Sequence, residues 1–269
     1  MTKGKATGRE RHPVLFVGAG PGDPELITLR GARALAEADM VVWAGSLVHP
    51  GLLGHCREET EIHDSAGLDL AAIVRLLVAG YEQGLRVVRL HTGDPSLYGA
   101  IAEQMEELDA RHVPYAVVPG VSSFAASAAA LQTELTAPEI SQTVILTRRA
   151  GRTPVPEGQD LVSLAAHRAT LCIFLSVGQM DDVVGDLIPA YGEDTPVAVV
   201  ANASWPEQRI VRGTLADIAG RVAEAGIRKT AMIVVGDVLR PSGTRSKLYD
   251  RGFAHGYRKA QTAPEKGGH

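Results

Sequence analysis

The chain has 269 residues, of which 45% are hydrophobic and 22% are charged, and its formal net charge is −4. This length allows one large domain or two smaller ones, and the composition is that of a globular protein with a sizeable core. Residues 1–12 carry a net charge of +3 and residues 240–269 carry +5, which, subtracted from −4, leaves −12 on the body between them. An acidic body with basic ends argues against a nucleic-acid partner. We expect residues 1–12 to form a disordered tail and residues 241–269 a polar basic tail.

The cysteine content and the hydropathy pattern both favour a cytoplasmic protein. Cys56 and Cys172 lie far apart in the sequence, so no disulfide framework can be argued. No apolar run reaches the length of a membrane span and no signal peptide precedes Val14, so we expect no membrane partner. We also expect no metal site, because the potential ligands in one segment lack the paired spacing of a zinc site: His49, His55, Cys56 and His63.

The first predicted element is an apolar strand, residues 14–17, which runs into a turn at 18–24 that contains three glycines and two prolines. A helical pattern follows at residues 26–36. A strand, a glycine turn and a helix usually indicate a nucleotide-like ligand at the carboxyl end of a sheet. The turn is not a phosphate-binding P-loop, and its match to the dinucleotide fingerprint fails where Asp23 replaces the third glycine. A tight turn without a ligand is the alternative interpretation.

Apolar runs alternate with helical patterns along the rest of the chain. Further strands are predicted at residues 40–43, 86–90, 115–118, 143–147, 170–175, 196–200, 209–212 and 231–235. Further helices are predicted at residues 70–83, 100–111, 123–131, 180–191 and 215–225. The β-α order predicts a mainly parallel sheet up to residue 118, and two strands joined by a turn predict a mixed sheet later. We therefore predict an α/β fold of two lobes, residues 13–137 and 143–240.

Two more strand–turn–helix junctions follow the strands at 86–90 and 115–118. In the first, Gly93 permits close approach of a ligand and Asp94 offers a carboxylate to ribose hydroxyls or an ammonium group. The second places Ser122 and Ser123 at the start of a helix. Helix capping by Asp94 or by either serine is the alternative explanation. Three such junctions on neighbouring strands are expected to converge on a single crevice.

A fourth strand leads into a loop at residues 148–157 that contains Arg148, Arg149 and Arg152. Arginine binds carboxylates and phosphates with two parallel hydrogen bonds, although a solvated surface loop is the alternative. The sequence contains no Gly-x-Ser-x-Gly elbow and no obvious nucleophile. That pattern favours a protein that mainly aligns two small-molecule reactants.

Together these motifs resemble, over about residues 13–240, the S-adenosylmethionine-dependent tetrapyrrole methyltransferases. The resemblance is carried by V-G-A-G-P-G-D-P at 17–24, T-G-D-P at 92–95 and V-P-G-V-S-S at 118–123. Within that superfamily, the segments 143–148 and 151–157, together with A-S-W-P at 203–206, resemble the branch that methylates carbon 11 of precorrin-4 in cobalamin biosynthesis. Members that methylate uroporphyrinogen have Gly-Gly-Asp-Pro where this chain has Thr92-Gly93-Asp94-Pro95.

The resemblance implies two α/β lobes with a cleft between them, a homodimer, and methyl transfer from S-adenosylmethionine, leaving S-adenosylhomocysteine, to precorrin-4 or its cobalt form. Position by position, it implies cofactor contacts at Pro21, Thr92, Gly93, Asp94, Leu97, Ser122, Ser123, Leu175, Ala203, Thr230 and Ala231. The tetrapyrrole would be bound by Asp23, Arg148, Arg149 and Arg152. The proton released by the substrate would pass to His91 or to Glu157, between which the sequence does not choose.

Three alternatives stay open at this level. The first is an S-adenosylmethionine-dependent methyltransferase for another tetrapyrrole, such as uroporphyrinogen or a different precorrin. The second is a non-enzymatic module that binds an adenosyl ligand. The third, a nicotinamide enzyme, is disfavoured because the second strand does not end in the required acid.

Overall fold

The computed structural model describes residues 11–240 and 250–259. The chain forms two compact units. The first comprises the described residues through Leu131 together with Val200–Ile210 and Arg228–Met232; the second comprises Gln132–Val199, Val211–Ile227 and the described residues from Ile233 on. The predicted tails at 1–12 and 241–269 lie largely outside the described residues, and the lobe limits 13–137 and 143–240 stay a prediction.

The first sheet has five parallel strands in the order β3–β2–β4–β1–β5. These strands are β1 (Val14–Gly18), β2 (Met40–Trp43), β3 (Glu61–Asp64), β4 (Val87–His91) and β5 (Tyr115–Val118). Parallel neighbours need crossover connections, which contain α1 (Leu29–Glu37), α2 (Leu70–Glu82) and α3 (Ala102–Asp109); α4 (Ser123–Leu131) follows β5. Short 3₁₀ helices occupy Pro24–Leu26 and Pro50–His55. The predicted parallel sheet is confirmed.

Both faces of this sheet are covered, which explains its continuously apolar strands. On one face, Val17 and Leu90 belong to a buried cluster with Leu35 of α1. On the other face, Phe16 belongs to a cluster with Leu77 of α2. Strands β1 and β4 are therefore fixed from both sides, and the turns at their carboxyl ends start from rigid supports.

The second sheet is mixed, as predicted, in the order β6–β7–β10–β8–β9. Strands β6 and β7 are parallel, whereas β7 and β10 are antiparallel. The strands are β6 (Val144–Arg148), β7 (Thr170–Phe174), β8 (Pro196–Ala201), β9 (Arg209–Thr214) and β10 (Ala231–Val235). The helices of this part of the chain are α5 (Leu161–Ala165), α6 (Met180–Tyr191) and α7 (Ile218–Glu224), with 3₁₀ helices at Val177–Gln179 and Asp237–Leu239. Across residues 11–240 and 250–259, none of the helices combines the length and the apolar character needed to cross a membrane.

Candidate active site

Three turns meet at the carboxyl edge of the first sheet, because β4, β1 and β5 are adjacent there. The Gly20 N–H donates to the Gly93 carbonyl at 3.2 Å, and the Gly93 N–H donates to the Gly20 carbonyl at 2.8 Å. The Ala19 N–H donates to the carbonyl of His91 at 2.7 Å. The turns after β1 and β4 are thus joined directly through their backbones, as the predicted convergence requires.

Glycines allow the three turns to pack this closely. A Cβ atom on Gly18 would lie 2.5 Å from the Cα of Gly120, and one on Gly120 would lie 2.1 Å from the carbonyl oxygen of Gly93. These neighbours are backbone atoms, which cannot rotate away. Gly93 differs, because its φ is +59° and its Cβ would meet nothing nearer than 3.8 Å. It is needed for its left-handed backbone, since a Cβ there would meet the backbone of Ser122 and Ser123 only at ordinary van der Waals distance.

Asp94 joins the turn after β4 to the turn after β5. Its Oδ2 accepts from the Gly120 N–H at 2.9 Å, and its Oδ1 accepts from the Ser96 N–H at 2.9 Å and from the Ser96 hydroxyl. Partial burial opposes ionisation, but the hydrogen bonds from Ser96 and Gly120 outweigh it and lower the pKa of Asp94. The carboxylate is therefore ionised and fixed in direction by the protein before any ligand arrives.

The turn after β1 is held by a segment of the first unit that lies much later in the sequence. The indole Nε1 of Trp205 donates to the Pro21 carbonyl at 2.9 Å, and the Asp23 N–H donates to the Ser204 hydroxyl at 3.0 Å. A Cβ atom on Gly22 would lie 2.0 Å from the Trp205 ring. The missing side chain of Gly22 thus makes room for the indole, and the Pro21 turn is closed by it.

Asp23 has a local role of its own in this turn. Its Oδ1 accepts from the Glu25 N–H at 2.9 Å and caps the short helix Pro24–Leu26. The predicted substrate-binding carboxylate is therefore also a capping group.

Several residues around the predicted cofactor positions have left-handed backbones although they are not glycine. This conformation costs about 1–3 kcal/mol per residue and is concentrated at ligand sites. The φ values are 49° at Asn202, 68° at Ser204, 53° at Thr230 and 55° at Leu175. The Asn202 N–H donates to the Thr230 carbonyl at 2.9 Å, which brings the loop around buried Ala203 next to the residue before Ala231.

All the predicted cofactor positions except Leu175 belong to the first unit. Pro21, Thr92, Gly93, Asp94, Leu97, Ser122, Ser123, Ala203, Thr230 and Ala231 lie on turns and loops of that unit or at their borders with strands and helices. Leu175 follows β7 in the second unit, and 72% of its surface is exposed. Its left-handed backbone is the feature that is consistent with a ligand contact at this position.

In the second unit, Arg149 is bound to acidic and amide side chains of its own unit. Its Nε lies 2.6 Å from Asp186 Oδ2, and its Nη1 lies 3.1 Å from Asp182 Oδ2 and 2.9 Å from Gln179 Oε1. The hydrogen bond with Asp186 is the main cause that raises the pKa of Arg149. The Arg149 N–H also donates to the Ser176 hydroxyl at 2.9 Å. Arg149 anchors the arginine loop, residues 148–157, to the neighbouring helix α6.

The other two arginines of this loop differ from Arg149. Arg148 donates to the carbonyls of Thr153 at 3.1 Å and Pro154 at 2.7 Å, so it folds the loop back on itself. Arg152 is exposed, and so is Glu157 farther along the loop. Arg152 is therefore the arginine of this loop that presents its side chain to solvent.

His91 ends β4 and is 5% exposed. Burial, reinforced by the charge of Arg89, lowers the pKa of His91 to about 3. Its ring stacks on Phe16 with 6.1 Å between centroids. Within the part of the chain that the structure describes, its Nε2 has no hydrogen-bond partner. At neutral pH His91 is an uncharged ring beneath the turn after β4.

Residues 13–219 match the family model of tetrapyrrole (corrin/porphyrin) methylases. The chain belongs to this family. A cobalt-precorrin-4 C(11)-methyltransferase from Methanocaldococcus jannaschii is 54% identical over 249 residues, covering 92% of this chain and 96% of that relative. A precorrin-4 C(11)-methyltransferase from Pseudomonas aeruginosa is 51% identical over 250 residues, covering 92% of this chain and 99% of that relative.

Solved structures of this methylase family have the same fold. The X-ray structure of a cobalt-precorrin-4 methyltransferase matches with a TM-score of 0.83 and 46% identity, covering 85% of this chain and 96% of that one. A uroporphyrin-III C-methyltransferase from Thermus thermophilus, complexed with S-adenosylhomocysteine, matches with a TM-score of 0.72 and 31% identity, covering 85% and 94%. The chain is thus an S-adenosylmethionine-dependent methyltransferase of the tetrapyrrole methylase fold.

The first unit of this methylase suits such a methyl donor. The left-handed turn at Gly93 exposes no side chain of its own, and a fixed anionic carboxylate, Asp94, lies next to it. A carboxylate accepts hydrogen bonds from groups such as the ribose hydroxyls and the ammonium of S-adenosylmethionine. Among the residues that the structure describes, no three His, Cys, Asp or Glu side chains are grouped to hold a metal ion.

Sequence reasoning missed the roles of Trp205 and Asn202. The A-S-W-P motif at 203–206 drew attention to the segment, but it gave no sign that the indole binds the Pro21 carbonyl. The one available signal was Gly22, a glycine between two residues of predicted function, whose missing side chain admits a large neighbour.

Proposed function

We propose that this methylase transfers the methyl group of S-adenosylmethionine to carbon 11 of precorrin-4 or of cobalt-precorrin-4. The observation that carries the proposal is the identity of more than half of the aligned residues to proteins named C(11)-methyltransferases, along nearly the full length of both chains. Identity to the uroporphyrin-III enzyme of the same fold is only 31%. The T-G-D-P sequence at 92–95 supports the same branch.

When bound, S-adenosylmethionine supplies an electrophilic methyl group on a sulfonium, so the protein needs no nucleophile of its own. The work of the residues is alignment, which alone can supply several kcal/mol of rate acceleration. We propose that the fixed turns around Gly93, Ser122 and Pro21 hold the donor, while Leu97 and Ala203 provide apolar contact. Leu175 of the second unit completes the set of proposed contacts.

The arginine loop is proposed to bind the substrate carboxylates. Arg152, which is exposed, would make the direct contact, with Arg148 beside it and Asp23 as a further polar contact. Arg149 would act mainly by anchoring the loop, because Asp186 and Asp182 already neutralise it. Transfer of a methyl cation from the sulfonium to the neutral tetrapyrrole also requires the substrate to release one proton. Glu157 is favoured over His91 as its acceptor, since the buried imidazole binds protons weakly.

The proposed reaction is tested by incubating the protein with precorrin-4 and methyl-labelled S-adenosylmethionine and locating the label. We expect one labelled methyl group at carbon 11. Label at another ring carbon would assign the protein to a different branch of the tetrapyrrole methyltransferases. Binding of S-adenosylhomocysteine without transfer to any tetrapyrrole would support a non-enzymatic module instead.

The substrate role of Arg152 is tested with Arg152→Ala. Loss of a charged hydrogen bond to a carboxylate should raise KM for the tetrapyrrole by about tenfold. The Kd for S-adenosylhomocysteine should stay within about twofold of wild type, since a factor of two is only about 0.4 kcal/mol. Arg75→Ala, which removes an exposed arginine from α2, is the matched control. Equal weakening of both ligands by Arg152→Ala would contradict the assignment.

We further propose that the protein is a cytoplasmic homodimer. The resemblance to a family whose members are usually dimeric supports the homodimer. Cys56 and Cys172 are both unpaired in the structure, which is consistent with a reducing compartment. Sedimentation equilibrium should give twice the chain mass of 28.4 kDa. A single-chain mass at micromolar concentration would contradict the dimer.

A further inference from the structure

A buried arginine lies in β4, two residues before His91. Arg89 is 4% exposed; its Nη1 donates to the Val42 carbonyl at 3.2 Å and its Nε to Gln104 Oε1 at 3.1 Å. Burial lowers the pKa of Arg89 to about 10, which still leaves it protonated at neutral pH. Within residues 11–240 and 250–259, no carboxylate forms an ion pair with it. A buried charge paired only with neutral acceptors costs stability, so its presence needs a reason.

Gln104, on α3, links Arg89 to the loop that precedes this helix. It is 4% exposed, and its Nε2 donates to the Ala100 carbonyl at 3.0 Å. A guanidinium has only donors, so the amide oxygen must face Arg89 and the NH₂ group must face the loop. Arg89 therefore fixes the orientation of the Gln104 amide, and the amide in turn fixes the end of the loop.

That loop, residues 94–101, has a backbone that needs restraint. Tyr98 and Ala100 both have left-handed φ values, 55° and 49°, although neither is glycine. Such residues cost about 1–3 kcal/mol each and persist only where their surroundings hold them. The start of the loop is held by Asp94 through Gly120, and its end is held by Gln104. The proposed cofactor contact Leu97 lies between these two anchors.

We propose that Arg89 and Gln104 are positioning residues, which hold the loop 94–101 in the conformation that binds S-adenosylmethionine. The proposal rests on the proposed function, because the contacts of Asp94 and Leu97 with the cofactor are part of that function. Arg89 does not touch the ligand in this account. Its Nε–H needs an acceptor on α3, and the glutamine amide provides that acceptor together with a donor for the Ala100 carbonyl, whereas a carboxylate provides only the acceptor.

Gln104→Glu separates the two halves of this contact. A carboxylate still accepts from Arg89, and it now neutralises the buried charge, but it cannot donate to the Ala100 carbonyl. We expect the midpoint of thermal unfolding to stay at or above the wild-type value. We expect the Kd for S-adenosylhomocysteine, measured by calorimetry, to rise by about tenfold, or about 1.4 kcal/mol. Amide exchange at residues 94–101 should become faster in the ligand-free protein.

Two further variants complete the design. Gln83→Glu adds the same charge at an exposed position next to α2 and should leave the Kd for S-adenosylhomocysteine unchanged. Arg89→Leu with Gln104→Leu removes both buried partners together, which is often tolerated by the fold. The double variant should unfold near the wild-type temperature yet also bind S-adenosylhomocysteine about tenfold more weakly. If Gln104→Glu does not fold, the double variant alone tests whether Arg89 and Gln104 position the loop 94–101.

Wild-type affinity and wild-type exchange at residues 94–101 in either folded variant would overturn the positioning role while leaving the proposed function intact. A wild-type protein that binds no S-adenosylhomocysteine would overturn the proposed function. In that case faster exchange at residues 94–101 in ligand-free Gln104→Glu would still support the hold of Gln104 on the loop, and unchanged exchange would refute it.

Discussion

Asp94 and Arg149 are charged residues that the sequence assigns to ligands and that the protein has already provided with partners. The Asp94 carboxylate is aligned by Gly120 and Ser96, and the Arg149 guanidinium is bound by Asp186. The strand and turn context could place both residues at functional loops. It could not supply the distant partners Gly120 and Asp186, because they lie 26 and 37 positions away and nothing in their local sequence marks them.

His91 leads to a prediction about pH. Its pKa is about 3 in the folded protein and about 6.5 in an unfolded chain, because burial disfavours the charged ring. Between these values the unfolded chain binds a proton that the folded protein does not. Stability therefore falls as the pH decreases below 6.5, by about 1.4 kcal/mol per pH unit from this one residue. His91→Gln should remove that slope.

The measurement is urea unfolding of both proteins at several values between pH 7.5 and pH 4.5. The difference in unfolding free energy, His91→Gln minus wild type, should grow as the pH falls. His167→Gln, at an exposed position, controls for the loss of an imidazole and should show no such trend. Parallel pH curves for wild type and His91→Gln would show that the folded protein accepts a proton at His91 readily.

At the scale of elements, regular apolar patterns predicted nearly every strand and helix to within a few residues. Strand β3 was missed because Glu61–Asp64 is a mostly exposed edge strand, whose sequence carries no apolar run. The five-residue helix α5 was missed because it is too short to show a helical repeat. Edge strands and short helices are stabilised by contacts with neighbouring elements more than by their own sequence. A search for periodic patterns along the sequence therefore does not find them.

The glycine contacts among the three turns give a prediction at this scale. Gly120→Ala would place its Cβ 2.1 Å from the Gly93 carbonyl oxygen, so the turns after β4 and β5 must separate. We expect a loss of at least about 2 kcal/mol in unfolding free energy, as for other overpacked sites. Binding of S-adenosylhomocysteine should weaken as well, since the separated turns carry its proposed contacts.

Gly220→Ala is the matched control for that substitution. Gly220 lies in helix α7, and a Cβ there meets no atom within 4 Å. Alanine is favoured over glycine in a helix by about 1 kcal/mol, so this variant should be slightly more stable than wild type. Chemical denaturation and calorimetric titration of both variants provide the comparison. Equal stability of Gly120→Ala and wild type would mean that the turns can move apart without cost.

At the scale of the whole molecule, the sequence predicted two α/β lobes with different sheets, and both sheets have the predicted character. It did not predict that Val200–Ile210 and Arg228–Met232 would be grouped with the first unit. Hydropathy patterns describe neighbours along the chain. These two short segments belong to the first unit because of contacts such as the hydrogen bond from Trp205 to Pro21. Such contacts leave no periodic pattern in the sequence.

The distribution of the proposed contacts predicts where ligands protect the backbone. S-adenosylhomocysteine should slow amide exchange in the first unit, at residues 18–24, 92–101, 120–123 and 202–205. Residues 148–157 of the second unit should change only when a tetrapyrrole is added, because they are assigned to its carboxylates. Exchange monitored by mass spectrometry tests this, with ATP in place of S-adenosylhomocysteine as the control. Protection of residues 148–157 by S-adenosylhomocysteine alone would contradict the division of roles.

The hydrogen bond from Trp205 to Pro21 joins residues 184 positions apart, and this separation has a consequence for biosynthesis. At about 5–20 residues per second, a ribosome needs roughly 10–40 s to add Trp205 after Pro21. During that time the strands of the first sheet are already synthesised, but the turn after β1 lacks its contact with Trp205. The proposed donor site, which includes this turn, is complete only after Trp205 has been added, so binding of S-adenosylmethionine to it belongs to the late steps of folding.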